Sequence, residues 1–141
     1  MNPCNQFIQI APDCATRTAI VPQDRGQRRS IASIEYQLLS SKPYGYTLEE
    51  LKFATHVQHK QIPPAVLQAQ RQQLWEAYFV KPCACMRASP LTKKYGWGAH
   101  YDQHGRIAIY AVESEAYRGF VQDKKMKKYS ALRSRRGTQE T

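Results

Sequence analysis

The sequence predicts an α+β domain in which a small antiparallel sheet, including a hairpin at about residues 97–112, packs with three or four helices. Apolar residues recur at helical spacing in three stretches, a turn separates two runs of alternating residues, and a short apolar run lies near the start. A chain of 141 residues can bury one sizeable core. We therefore expect one globular domain over residues 1–122, followed by a basic C-terminal tail over residues 123–141.

The first strand and the first two helices follow from local signals. Residues 7–10 form the short apolar run FIQI, which is typical of a strand. Ser30 is a suitable N-cap for a helix whose apolar residues recur at helical spacing and which ends before Pro43. Thr47 begins a second helix, because Glu50 stands three residues later and completes a capping box.

A third helix is predicted after the proline pair at residues 63 and 64. Proline fits the first turn of a helix, and Leu67, Leu74 and Tyr78 then fall on one face. This helix should end before Pro82, since proline cannot continue the hydrogen-bond pattern.

The clearest local signal is WGAHYDQHGRIAIYAV, residues 97–112, which predicts a β-hairpin. Asp102 suits the first position of a type I turn, and Gly105 can adopt the left-handed conformation that follows it. This turn places Asp102 opposite Arg106 and fixes the register of the two strands.

That register divides the hairpin residues between two faces. The apolar face carries Trp97, Tyr101, Ile107 and Ile109. The other face carries Gly98, His100, Ala108 and Tyr110. His100 therefore has small neighbours, and the space above it can hold a helix or a ligand.

Short helices are predicted on either side of the hairpin. Upstream, in residues 87–96, Ser89 and Pro90 resemble an N-cap and first helical residue, and Gly96 resembles a C-terminal cap. Downstream, Ser114 caps another short helix.

The net charge of +10 is unevenly distributed. Residues 123–141 hold seven lysines and arginines against two acids, so half of the excess positive charge lies in this tail. The tail either extends the preceding helix or forms a separate basic segment that becomes disordered at its end. It is the feature that favours nucleic acid as a partner, because contacts with phosphate need only Lys and Arg.

We expect a cytoplasmic protein that does not associate with a membrane. The sequence has no apolar stretch near the roughly 18–20 residues that span a bilayer and no signal peptide at its start. The four cysteines are few for a disulfide-stapled fold and are expected to be reduced thiols. They are Cys4, Cys14, Cys83 and Cys85.

Three blocks of the sequence resemble a bacterial family of small uncharacterised proteins, a domain of unknown function. They are NQFIQIAPDC (residues 5–14), IASIEYQLLSSKPYGYT (31–47) and MRASPLTKKYGWGAHYDQHGRIAIYAVESEAY (86–117). The chain departs from the family in Ala15, where proline is usual, and in Lys94, where arginine is more frequent. The resemblance covers nearly the whole chain and implies a shared architecture, and it carries over no catalytic role.

The best prediction for function is the binding of a small anionic ligand, bearing phosphate or carboxylate, near residues 87–100. Guanidinium, ammonium and hydroxyl donors would converge where the short helix meets the hairpin. The candidate ligands are Arg87, Ser89, Thr92, Lys94 and His100. His100 would be the acid or base if catalysis occurs, since imidazole titrates near neutral pH. The competing interpretation pairs Arg87 with Glu113 or Asp102 and leaves Lys94 solvated.

Other classes of function stay open. The basic tail suits a nucleic-acid-binding protein, and Trp75 and Tyr78 suit the anchor of a protein-interaction module. A zinc site at Cys83 and Cys85 is disfavoured because Cys-x-Cys is tighter than the usual spacing. A thiol nucleophile, Cys14 or Cys83, could pair with His100, but no flanking motif supports it. We predict no cofactor and no metal, a monomer or homodimer, and we leave enzyme status undecided.

Overall fold

A computed structural model describes residues 3–24, 26 and 29–134. Its elements confirm an α+β fold, and they include five α-helices, a four-stranded sheet and a single 3₁₀ turn at Met86–Ala88. The strands are β1 (Gln6–Gln9), β2 (Trp97–Tyr101), β3 (Ile107–Ala111) and β4 (Lys127–Ser130). The helices are α1 (Ile31–Ser41), α2 (Leu48–His59), α3 (Pro64–Tyr78), α4 (Pro90–Lys93) and α5 (Glu115–Gln122).

The predicted helix starts are confirmed. The Ser30 hydroxyl accepts a hydrogen bond from the Ser33 amide at 3.1 Å at the start of α1. Thr47 and Glu50 form the reciprocal capping box at the start of α2. Capping satisfies backbone amides that have no partner within a helix, so these local signals determine where the helices begin.

The sheet has the strand order β3-β2-β1-β4. Strands β2 and β3 form the predicted hairpin in the predicted register, with Trp97 opposite Ala111 and Tyr101 opposite Ile107. The Gly105 amide donates to the Asp102 carbonyl at 3.0 Å, and Gly105 has a φ of +76°. The turn therefore has the left-handed glycine that its sequence requires.

Strand β4 corrects the prediction of a basic tail beginning at residue 123. It pairs in parallel with β1, from Gln6 opposite Lys127 to Gln9 opposite Ser130, so the sheet is mixed and not antiparallel throughout. Lysine is depleted in strands, and the partner strand lies more than 100 residues away, so local sequence gave no sign of this pairing. The expected disordered end, residues 136–141, lies outside the described residues.

The core lies between one face of the sheet and helices α1, α2 and α4. It contains the fully buried Leu39, Leu51, Leu91, Tyr101 and Ile107. Helix α5 covers the opposite face. There the rings of Tyr117 and Phe120 lie 5.1 and 4.8 Å from that of Phe7.

Helix α3 lies outermost and contains no buried residue. It contacts α2 mainly through rings, with the centroids of Phe53 and Trp75 5.0 Å apart. Gln70 interrupts the helical backbone (φ −127°, ψ 25°). No helix in the described ranges is both long and apolar enough to cross a membrane.

Candidate functional site

The structure places Ser89 and Thr92 in the core. Ser89 is fully buried, and its hydroxyl caps α4 by accepting from the Leu91 amide at 3.1 Å. Thr92 is also fully buried and donates its hydroxyl to the Met86 carbonyl at 2.5 Å. Both hydroxyls therefore hold the chain at α4 and are closed to a ligand.

Arg87 holds the end of β4. Its Nε donates to the Ser130 carbonyl at 2.8 Å, and its guanidinium lies 6.0 Å from the ring centroid of Tyr129. The carboxylates proposed as its partners bind elsewhere. Asp102 accepts from backbone amides within the hairpin turn, and Glu113 accepts from the Ala19 amide at 2.8 Å.

His100 lies on the opposite face of the sheet from the buried Tyr101. Its Nδ1 is 2.8 Å from the Tyr44 hydroxyl, which is also 2.8 Å from the Tyr110 hydroxyl. The Phe120 ring stacks on the imidazole with centroids 4.4 Å apart. Burial holds the pKa of His100 below its ordinary value. Helix α5 thus fills the space that the sequence left open to a helix or a ligand.

The five predicted ligand residues do not form one site. Ser89 and Thr92 face the core, His100 faces α5, and Lys94 is exposed at the end of α4. Ser89 also belongs to a polar network with α1 and α2. Its hydroxyl donates to Glu35 Oε1 at 2.6 Å, and Glu35 Oε2 pairs with Lys52 Nζ at 3.0 Å.

This Glu35–Lys52 pair lies beneath a cavity of about 290 Å³, which we call the α2 cavity. Glu35 is fully buried, and 13% of the Lys52 side chain is exposed. A buried carboxylate is stable only when its charge is paired and its oxygens accept hydrogen bonds, and both conditions hold here. The α2 cavity is lined by Ile31, Glu35, Lys52, Thr55, His56, His59, Lys60 and Tyr78.

Thr55 brings an unsatisfied polar group to this cavity. Thr55 is 5% exposed. Its buried Oγ1 has no hydrogen-bond partner among the residues that the structure describes. Leaving a buried hydroxyl unpaired costs about 1–3 kcal/mol. Because Thr55 lines the cavity, a group bound there is a candidate partner for this hydroxyl.

Basic side chains line the α2 cavity together with Thr55. Burial, followed by the charges of Lys60 and His59, holds the pKa of His56 below its ordinary value. The His56 ring lies 4.6 Å from that of Tyr78, whose pKa burial raises. His56 and His59 lie in the last turn of α2 and Lys60 caps its C-terminus, where the helix dipole favours positive charge.

Sequence reasoning missed this site, although α2 carried a signal for it. Lys52, Thr55, His56 and His59 are spaced i, i+3, i+4 and i+7, which places them on one side of a helix. The other members come from α1 and from the end of α3, and no local pattern joins these elements.

The cysteines form no disulfide, and Cys83 and Cys85 pack against the core. Among the described residues, no group of three or more His, Cys, Asp and Glu side chains could hold a metal ion. Cys83 packs on the core side of the sheet, whereas His100 faces α5, so the geometry gives no support to a Cys83–His100 pair.

Fold and site together define a small α+β domain with a polar cavity beside its second helix. A family model described as a family of unknown function, DUF6157, matches residues 1–137. The chain belongs to this family, which confirms the resemblance seen in the sequence. Searches of curated proteins and of solved structures found no match.

Proposed function

We propose that this protein binds a small anionic ligand, bearing phosphate or carboxylate, in the α2 cavity. The observation that carries the proposal is the buried hydroxyl of Thr55, which has no hydrogen-bond partner among the described residues, in a cavity whose other polar side chains are mainly basic. The class of ligand is the one that the sequence predicts, whereas the binding residues lie on α2 and not at residues 87–100.

The charges of the cavity favour an anion. Glu35 is neutralised by Lys52, and both of its oxygens are engaged. Lys60 then leaves an excess positive charge, to which His56 and His59 add when they are protonated. An ammonium has three N–H donors, so Lys52 keeps donors for a ligand after its bond to Glu35.

The donors also match the geometry of an oxyanion. A phosphate or carboxylate group accepts hydrogen bonds at several oxygens, and hydroxyl, ammonium and imidazole groups all donate here. The volume of about 290 Å³ lies at the small end of the range for ligand pockets. In this proposal Ser89 is a positioning residue, because it orients Glu35, which in turn holds Lys52.

The test is isothermal titration of the full chain with inorganic phosphate and, separately, with acetate at about pH 6.5, where imidazole is part protonated. We expect Thr55→Val and the pair His59→Gln with Lys60→Gln each to weaken the binding of at least one anion about tenfold, as the loss of one or two charge-assisted bonds implies. The matched control is His104→Gln with Lys42→Gln, which removes the same residue types from exposed positions outside the lining of the α2 cavity. Equal affinity in all variants would exclude the α2 cavity.

A second candidate, nucleic-acid binding, is favoured by strand β4. This strand lies at the edge of the sheet, and both Lys127 and Tyr129 are exposed. Lys124 and Lys125 lie in the turn before it, separated from the strand by Met126. Lysines that contact phosphate and an exposed ring that stacks on a base are the two components of single-strand binding.

The nucleic-acid proposal is tested by fluorescence anisotropy with a labelled single-stranded oligonucleotide. Truncation after Gln122 would remove a strand of the sheet, so substitutions are the sharper test. We expect the triple change of Lys124, Lys125 and Lys127 to Gln to weaken binding and to flatten its salt dependence. Unchanged binding, or no binding by the wild type, would remove this candidate.

A further inference from the structure

A second cavity lies between α2 and α3. It has a volume of about 370 Å³, and a neighbouring depression shares Glu50, Arg71 and Trp75 with it. We call the larger space the α2–α3 cleft. Its lining is mostly apolar and includes Tyr46, Phe53, Val57, Leu67, Arg71 and Trp75.

We propose that the α2–α3 cleft binds a small aromatic carboxylate, with the ring among the aromatic side chains and the carboxylate on Arg71. This site is independent of the α2 cavity. Its chemistry differs, because the α2 cavity presents mainly polar groups, whereas the cleft presents apolar surface and Arg71, a cation without an ion-pair partner among the described residues.

The aromatic side chains favour a flat, apolar ligand. Phe53 is 2% exposed and forms the inner wall of the cleft. The ring centroids of Phe53 and Trp75 lie 5.0 Å apart, and the two ring planes meet at 55°. Tyr46 adds a third ring to the lining. Aromatic pairs gain energy from stacked and edge-on contacts beyond the area they bury, so a bound ring has favourable partners on more than one side.

Arg71 supplies the charge that selects a carboxylate. Its guanidinium lies 5.4 Å from the ring centroid of Phe53, which directs it over the cleft. The ion pairs within the described ranges involve Arg29 and Lys52, so Arg71 has no carboxylate within 4.0 Å there. Guanidinium and carboxylate match in a planar, two-bond geometry.

Glu50 is an acid on the rim of the same cleft, and its position limits its competition for Arg71. Its Oε1 accepts from the Thr47 amide at 2.9 Å as part of the capping box. The carboxylate is therefore committed to the start of α2, where the helix dipole also favours it.

The loose attachment of α3 fits a ligand at this position. None of its residues is buried, and Leu67 and Trp75 keep part of their surface exposed. A ligand between the helices would remove this apolar surface from water, which is favourable.

The test uses 2-naphthoate and its neutral analogue 2-naphthalenemethanol. The chain has two tryptophans, so in a Trp97→Phe background the fluorescence reports on Trp75. We expect saturable quenching by 2-naphthoate. Adding Arg71→Gln should weaken naphthoate about tenfold or more, the effect of losing a charge-assisted pair, and leave the alcohol unchanged. The matched control is Arg17→Gln, at an exposed position outside the cleft lining.

Three results would overturn the proposal: no saturable binding, an equal loss of naphthoate and alcohol in Arg71→Gln, or an equal loss in Arg17→Gln. The pair His59→Gln with Lys60→Gln, which alters the lining of the α2 cavity, should leave naphthoate binding intact, so the two proposals can fail separately. If Trp97→Phe does not fold, NMR of the wild type replaces fluorescence. Amide shifts should then appear at Ala54, Val57 and Leu67, and shifts elsewhere alone would contradict the site.

Discussion

The segment from Met86 to Tyr101 and the C-terminal half of α2 are both rich in polar side chains, but they use them differently. In the first region Ser89, Thr92 and His100 each bind a partner within the fold. In the second, Thr55 has a buried hydroxyl without a partner among the described residues, and it lines a cavity together with several basic side chains.

This difference distinguishes polar residues that build the fold from polar residues that are free to bind a ligand. A dense run of distinctive residues can be needed to build a fold, because small helices and tight strand contacts require specific caps, hydroxyls and glycines. Polar groups that the fold leaves unsatisfied are the stronger sign of a ligand, since their burial is otherwise unfavourable.

Removal of Glu35 should produce the largest effect in this comparison. Glu35→Ala leaves Lys52 without its counter-charge and Ser89 without an acceptor, and we expect the free energy of unfolding to fall by about 3 kcal/mol. Lys60→Gln, at the exposed rim, should stay within about 0.5 kcal/mol of the wild type. Urea denaturation measures both. A small effect for Glu35→Ala would show that the pair is not a structural support of the cavity.

The closed face around His100 should not tolerate added volume at Gly98. A Cβ there would lie 2.5 Å from Phe7 Cζ and 2.6 Å from Tyr117 Cε2. We therefore expect Gly98→Ala to destabilise the protein by about 1–3 kcal/mol, the usual range for overpacking.

Gly119 is the matched control for Gly98. It lies inside α5, and a Cβ there would meet nothing within 4 Å. Gly119→Ala should stabilise the protein by about 0.5–1 kcal/mol, because alanine favours the helix. A denaturation midpoint for Gly98→Ala equal to that of the wild type would show that the α5 face is loosely packed.

The smallest expected effect is on the pH dependence of stability. Burial lowers the pKa values of His56 and His100 from 6.5. The unfolded chain then binds more protons than the folded chain as the pH falls through about 6.5, so stability is present above that pH and declines below it. His100→Gln should make this decline shallower in thermal melts between about pH 7.5 and pH 5.5. An unchanged slope would show that His100 titrates as it does in the unfolded chain.

Much of the fold could be predicted because its signals are local. The Ser30 and Thr47 caps and the Asp102–Gly105 turn act within a few residues, and the structure confirms each of them. Strand β4 could not be predicted in this way, because its stability comes from pairing with β1 and not from the propensities of its own residues.

The candidate site was less accessible to sequence reasoning. Its α2 residues were visible as a helical spacing, but Glu35 of α1 and Tyr78 of α3 reach the cavity only through tertiary packing. The 87–100 segment carries guanidinium, ammonium, hydroxyl and imidazole groups, which predict an anion site. Burial of Ser89 and Thr92, which a sequence does not reveal, assigns them to the core.

The most direct test of the α2 cavity as the anion site is an NMR titration of the ¹⁵N-labelled full chain with inorganic phosphate in the millimolar range. The proposal predicts saturable shifts of the backbone amides of Thr55, His56 and His59 and of the imidazole nitrogens of both histidines. It also predicts that the chemical shifts of the Thr92 and His100 amides do not change. Shifts confined to the β4 lysines, or no saturable shift on α2, would contradict it.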